Sequence, residues 1–213
     1  MRSLSINTIV LILFIGSIHT LWAIDAEDII DKVKNKYEEI GSLTANFTQS
    51  FKWKLAGESQ EQHGSLFIKG KNKFRIETEG QIVVSDGTNL WTYSKSNNQV
   101  IIDNVDNAEE VILPREIFLK FSQNYNPQYL REEKYNNTDC YVVNLIAKTD
   151  NQFIREMKIW VARSSWLTQK VQHTDINENI TTYSLRSIKV NQDLKDTVFS
   201  LQIPENVEVV DMR

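Results

Sequence analysis

The chain has 213 residues, 41% hydrophobic and 24% charged, with 24 Lys+Arg against 28 Asp+Glu and a formal net charge of −4. That balance belongs to a globular protein rather than a disordered or fibrous one, and the absence of any Lys/Arg-rich block argues against a nucleic-acid partner. The 7 Gly and 3 Pro form neither GxGxxG nor GxxxxGK[ST], so the common nucleotide-binding signatures are missing.

Residues 1–23 read as a secretory signal that is removed: Arg2 supplies the positive start, Ile9 to Ile15 the apolar run, and Ala23 the small residue at the cleavage position. The apolar run is too short for a comfortable membrane span, so the mature product, residues 24–213, is expected to be soluble and exported. Cys140 is the one cysteine. It lies far from the signal, which rules out an amino-terminal lipid attachment there, and it sits in the strand-like run Cys140-Tyr141-Val142-Val143, where a buried thiol is far commoner than a nucleophile.

After Asp25, a capping residue, Ile29, Ile30, Val33, Tyr37 and Ile40 recur at three-to-four spacing and predict a helix over 26–40. From Leu43 the period becomes two, with Leu43, Ala45, Phe47, Gln49, Phe51 and Trp53 on one face of a strand. Further short strand patterns occupy 64–69, 73–78, 81–85, 90–94, 99–104, 129–135, 140–147, 154–163, 167–174 and 180–190. Their separators, such as Asp86-Gly87, Asn97-Asn98, Asn136-Asn137, Asp150-Asn151 and Asn177-Glu178-Asn179, are hairpin chemistry. A second short helix is expected near 114–122, opened by Pro114. No repeat or long linker divides the chain. The predicted fold is mainly β, a single domain built from a strongly curved antiparallel sheet with helices covering its concave face.

Catalytic chemistry is not legible. His63 and His173 are too few for a multi-histidine metal site, and one cysteine gives no CxxC spacing. Glu109-Glu110 and Glu132-Glu133 read as solvated surface pairs; neither a metal nor another cofactor is expected. Instead, apolar residues crowd the strand faces: Phe47 and Phe51, Leu66 and Ile68, Phe74 and Ile76, Val143 and Leu145, Met157 and Ile159. They fill a core, or part of that face remains a cavity for an apolar ligand. Composition leaves both open.

Five strings share an order: Ala45-Asn46-Phe47-Thr48-Gln49, Gly64-Ser65-Leu66-Phe67-Ile68-Lys69, Phe74-Arg75-Ile76, the Ser85-Asp86-Gly87-Thr88-Asn89-Leu90-Trp91-Thr92-Tyr93 stretch, and Val198-Phe199-Ser200-Leu201-Gln202-Ile203-Pro204. Together they resemble the outer-membrane lipoprotein carrier protein (LolA) family over essentially the whole mature chain. The resemblance implies an incomplete β-barrel with helical lids, resident in the periplasm, that carries the acyl chains of lipoproteins between two membranes without covalent chemistry. It further implies an inner-membrane lipoprotein-releasing ABC transporter as donor, an outer-membrane lipoprotein receptor as acceptor in many bacteria, and a monomeric carrier. On this reading Phe74 falls on a family aromatic associated with cargo, Ile76 replaces a neighbouring tryptophan, and the family's latching arginine falls on Gly70, so that latch does not carry over; Lys69 or Lys71 either substitutes for it or is an ordinary solvated turn lysine.

Trp91 lines the cavity or anchors a hairpin, and Trp160, out of phase with Met157, Ile159 and Val161, is expected on the solvent side. The lid candidates are Ile29, Val33 and Tyr37 on the first helix and Ile117, Phe118 and Phe121 on the second, against ordinary helix-to-sheet packing. The alternatives to a carrier are a lipid-binding or envelope-stress sensing module of the same fold and, last, a hydrolase with an unrecognised site.

Overall fold

A computed structural model describes residues 24–107 and 124–213. Helix α1 (Ala26–Glu39) is followed by β1 (Ser42–Lys52), β2 (Ser59–Lys69), β3 (Lys73–Thr78), β4 (Gln81–Asp86), β5 (Asn89–Ser94), β6 (Gln99–Asn104), β7 (Tyr125–Tyr135), β8 (Thr138–Ala147), β9 (Ile154–Ala162), β10 (Thr168–Asp175), β11 (Ile180–Val190) and β12 (Glu208–Asp211). All twelve strands join one open sheet in the order β12-β6-β5-β4-β3-β2-β1-β11-β10-β9-β8-β7. Every pairing is antiparallel except β12 with β6.

Eleven of these strands follow from alternation and turn chemistry. Asn136 and Asn137 both take positive φ, 46° and 64°, the conformation a two-residue hairpin between right-twisted strands requires. Two strands begin earlier than their apolar patterns. β2 starts at Ser59 because its polar opening residues pair with the long β1, and β7 starts at Tyr125, its Pro127 tolerated because β7 is an edge strand. Asp25 occupies the N-cap position of α1 but makes no side-chain capping bond. The predicted second helix over 114–122, with Ile117, Phe118 and Phe121, lies outside the described residues.

The two faces of the sheet are buried differently. The inner face carries α1, whose Ala26, Ile29, Ile30, Val33 and Tyr37 join one apolar cluster with Leu43, Ala45, Phe47, Leu66, Ile68, Phe74, Leu90, Val143, Leu145, Met157 and Ile159. The helix packs chiefly against β7 and β8, and the Tyr37 hydroxyl accepts the Thr168 N–H at 3.3 Å.

The outer face has two coverings of its own. After β11 the chain straps across β2 to β6. Ser42 Oγ donates to the Gln192 carbonyl at 2.6 Å and Lys69 Nζ to the Leu194 carbonyl at 2.7 Å. The 3₁₀ turn Asp196–Phe199 then lies over β3 and β4, and β12 adds to β6. Phe199, 1% exposed, sits on the side of the sheet where Ile82, Val84, Val100 and Ile102 are buried. At the other end Cys140, Val142 and Trp160 form a small cluster closed by Tyr135.

Candidate functional site

Strand register sorts the expected site residues by face. Leu43 pairs Ile68, which pairs Phe74. Ala45 pairs Leu66, which pairs Ile76, which pairs Val83. Across the other half Val143 pairs Ile159 and Leu145 pairs Met157. Because side chains alternate with period two, these rows put Phe47, Phe51, Leu66, Ile68, Phe74, Ile76, Val143, Leu145, Met157 and Ile159 on the same inner face, together with Ile29, Val33 and Tyr37 of α1. Most are fully buried there; Ile76 and Phe51 are half-buried. Phe51 meets Trp53 edge-on at 4.4 Å between ring centroids.

Trp91 is not among them. Its neighbour Leu90 belongs to the inner cluster, so Trp91 points outward, in register with Val84 and Ile102. The cavity placement of Trp91 is therefore corrected by the alternation itself. Trp160 is on the outer face, as its phase demands, yet it is not solvent-exposed. It is 4% exposed, its Nε1 donates to Glu133 Oε1 at 3.0 Å, and Lys170 Nζ stands 4.1 Å from the ring centroid. A cation over an aromatic face and a satisfied indole N–H explain how a tryptophan is held on a polar surface.

Gly70 sits at φ +60° in the β2–β3 turn, with no atom within 4 Å of where a Cβ would be. Its N–H donates to the Gly41 carbonyl at 2.9 Å. Lys69 is turned to the outer face, where it and Lys73 pair with Asp196 at 2.8 and 3.0 Å, so Lys69 holds the strap and not a lid over the inner face. Cys140 is buried, and its surroundings push the thiol up to about 11 through loss of hydration, which leaves it protonated at neutral pH and chemically quiet.

One feature of the inner face was not singled out from sequence. A polar chain crosses it: Gln62 Nε2 donates to Gln49 Oε1 at 2.6 Å, and Gln49 Nε2 donates to the Tyr183 hydroxyl at 3.3 Å. His173 lies beside Tyr183 with ring centroids 6.1 Å apart. Burial lowers the His173 pKa, partly offset by Asp175, and raises that of Tyr183. The sequence signal was available in the polar interruptions of the inward phase, Gln49 after Phe47 and His173 after Val171, but nothing local distinguishes these from ordinary strand polarity.

Three hairpin turns close the same end of the sheet, at residues 53–58, 148–153 and 176–179. Lys54 pairs with Glu178 at 3.0 Å, and the Ile176 N–H donates to the Phe153 carbonyl at 2.9 Å. Leu55 is 98% exposed there, with Phe153 and Ile176 also exposed. No helix among the described residues is long and apolar enough to cross a membrane.

Comparison with known proteins places this geometry. The sequence signature described as outer membrane lipoprotein carrier protein LolA matches residues 38–202. An outer-membrane lipoprotein carrier protein of Francisella tularensis is 28% identical over 95% of this chain and 96% of its own length. An uncharacterized protein of Methanocaldococcus jannaschii is 25% identical over 97% of this chain, which spans only 59% of that protein. Among solved structures, an uncharacterized conserved protein of Thermus thermophilus shares the fold with a TM-score of 0.60 at 13% identity, covering 87% of this chain and 98% of the other.

Proposed function

The chain belongs to the LolA family of outer membrane lipoprotein carrier proteins, and from that premise we propose that it is a periplasmic chaperone that takes lipoprotein acyl chains against its inner face and carries them from the inner to the outer membrane. The observation that carries this reading is the sorting of large apolar side chains onto one face of an open sheet. Phe47, Leu66, Ile68, Phe74 and Ile76 come from β1 to β3, while α1 packs mainly at the far side, on β7 and β8. Each acyl CH₂ kept from water is worth about 0.8 kcal/mol, so a multiply acylated protein needs an apolar sleeve to cross an aqueous space. Release must oppose the same free energy, which favours a sleeve that opens or grips weakly.

In this reading residues 1–23 are removed on export, residues 24–213 act as one carrier domain, α1 and the segment bearing Ile117, Phe118 and Phe121 form the lid, and no bond is made or broken in the cargo. An inner-membrane lipoprotein-releasing ABC transporter supplies the cargo, and the outer membrane accepts it, through a lipoprotein receptor where the host has one. The test is native mass spectrometry with lipid extraction on protein purified from the envelope of its own host. Co-purifying acylated proteins are the expected result. Free phospholipid or an empty protein, with the transporter and lipoproteins present, overturns the carrier reading in favour of a lipid-binding or sensing module.

A further inference from the structure

We propose that His173 and Tyr183 form a polar subsite on the inner face that receives the carbonyl oxygen of an acyl ester or amide, fixing where the head of an acylated ligand stops and its tails begin. The inference rests on the acyl-binding reading of this face and deepens it.

Three observations carry it. First, His173 is 8% exposed and its Nδ1 is buried with no hydrogen-bond partner. A buried nitrogen left unpaired is unfavourable, and a ligand that supplies the partner removes that penalty. Second, the chain Gln62 to Gln49 to Tyr183 runs in one direction. The Tyr183 hydroxyl accepts from Gln49, so its own proton is left to donate, and no acceptor for it occurs among the described residues. Third, the register fixes what surrounds the pair. Tyr183 lies opposite Val171 and Gln49, and His173 opposite Met157 and Thr181, so the pair stands where the polar chain meets the apolar residues Val171 and Met157.

A carbonyl oxygen has two lone pairs and no proton. It accepts the Tyr183 O–H and, with the neutral imidazole in the tautomer that carries its proton on Nδ1 rather than Nε2, the His173 Nδ1–H, so one ligand atom meets both groups. A bare hydrocarbon satisfies neither. The glutamine chain orients Tyr183 before the ligand arrives. Esters of this kind occur in the lipid anchor of an acylated protein and in phospholipids, and the two sources share the chemistry.

Binding is measured with ester-linked and ether-linked forms of a diacyl lipopeptide and, separately, of phosphatidylglycerol, for the unaltered protein, Tyr183→Phe, His173→Met and the double variant. The ester form is expected to bind the unaltered protein about tenfold more tightly than the ether form, the size of one or two net hydrogen bonds. Tyr183→Phe and His173→Met each shrink that ratio, and the double variant brings it to one through loss of ester binding. The lipid pair that shows the preference identifies the source. A variant that weakens both forms equally reveals packing alone and overturns the subsite. Equal binding of ester and ether by the unaltered protein also overturns it while leaving the acyl sleeve intact, whereas binding of neither lipid overturns the sleeve itself.

Discussion

The ring of Phe47 occupies the space that a side chain on Gly64 would need. A Cβ at Gly64 would lie 2.4 Å from Phe47 Cζ and 2.6 Å from the Glu77 carbonyl oxygen, and Gly64 is the direct cross-strand partner of Phe47. The glycine is there because an aromatic ring on β1 and the backbone of β3 close on the same point.

Gly64→Ala therefore forces the ring and β3 apart. It is expected to destabilise the fold by about 1–3 kcal/mol, the usual cost of overpacking, read from the denaturant midpoint. In a Gly64→Ala/Phe47→Leu double variant the ring clash is gone but the Glu77 carbonyl remains, so the combined loss should fall short of the sum of the two single losses. Strict additivity would show that the two residues do not share the site.

The strap is a separate expectation. Phe199, buried on the outer face away from α1, should cost about 3–5 kcal/mol when replaced by alanine. Hydrogen exchange should then rise first in β4 to β6, whose outer residues Val84, Val100 and Ile102 lose their cover, before it rises in β8 and β9. Uniform exchange across the sheet would sink the idea of a local outer core.

Lys69 and Lys73 together hold the Asp196 carboxyl down to about 2. The pKa is lower folded than unfolded, so this contribution is complete above the ordinary carboxylate range near 4 and is lost as pH falls from about 4 towards 2. Protection of the strap amides should fall in that window and weaken with added salt, because the pairs are exposed. Asp196→Asn should show lower protection at pH 5 and no change of its own through the window.

His173 titrates in the opposite direction from a paired histidine. Burial holds its pKa below the ordinary 6.5 against the smaller pull of Asp175, so the unfolded chain binds the extra proton more readily. Stability from this site is complete above about pH 6.5 and declines as the pH falls below it. The melting temperature is expected to drop between pH 7 and pH 5, and the drop should be smaller in His173→Met. An equal drop in both would assign the effect to other groups.

The sequence by itself determined most of the secondary structure and the sorting of the apolar face. Period-two alternation in β1 to β6 and β8 to β11, with asparagine-rich turns between them, dictates antiparallel hairpins because each strand must keep one phase against a common core. The family strings, from Ala45 to Pro204, carried the identity. What alternation cannot state is which face a long-range partner will cover. Trp91 obeyed its phase and so left the inner face, and Trp160 obeyed its phase but was covered by Tyr135, Glu133 and Lys170. Only tertiary structure brought residues 194–202 across β3 and β4, closing a second core on the outer face. The same applies to the polar chain from Gln62 to Tyr183 with His173 beside it. Its members lie on four strands, β2, β1, β11 and β10, and only the sheet order makes them neighbours. Local periodicity is a property of a few residues in sequence, whereas register between distant strands is set by the whole sheet closing on one hydrophobic face.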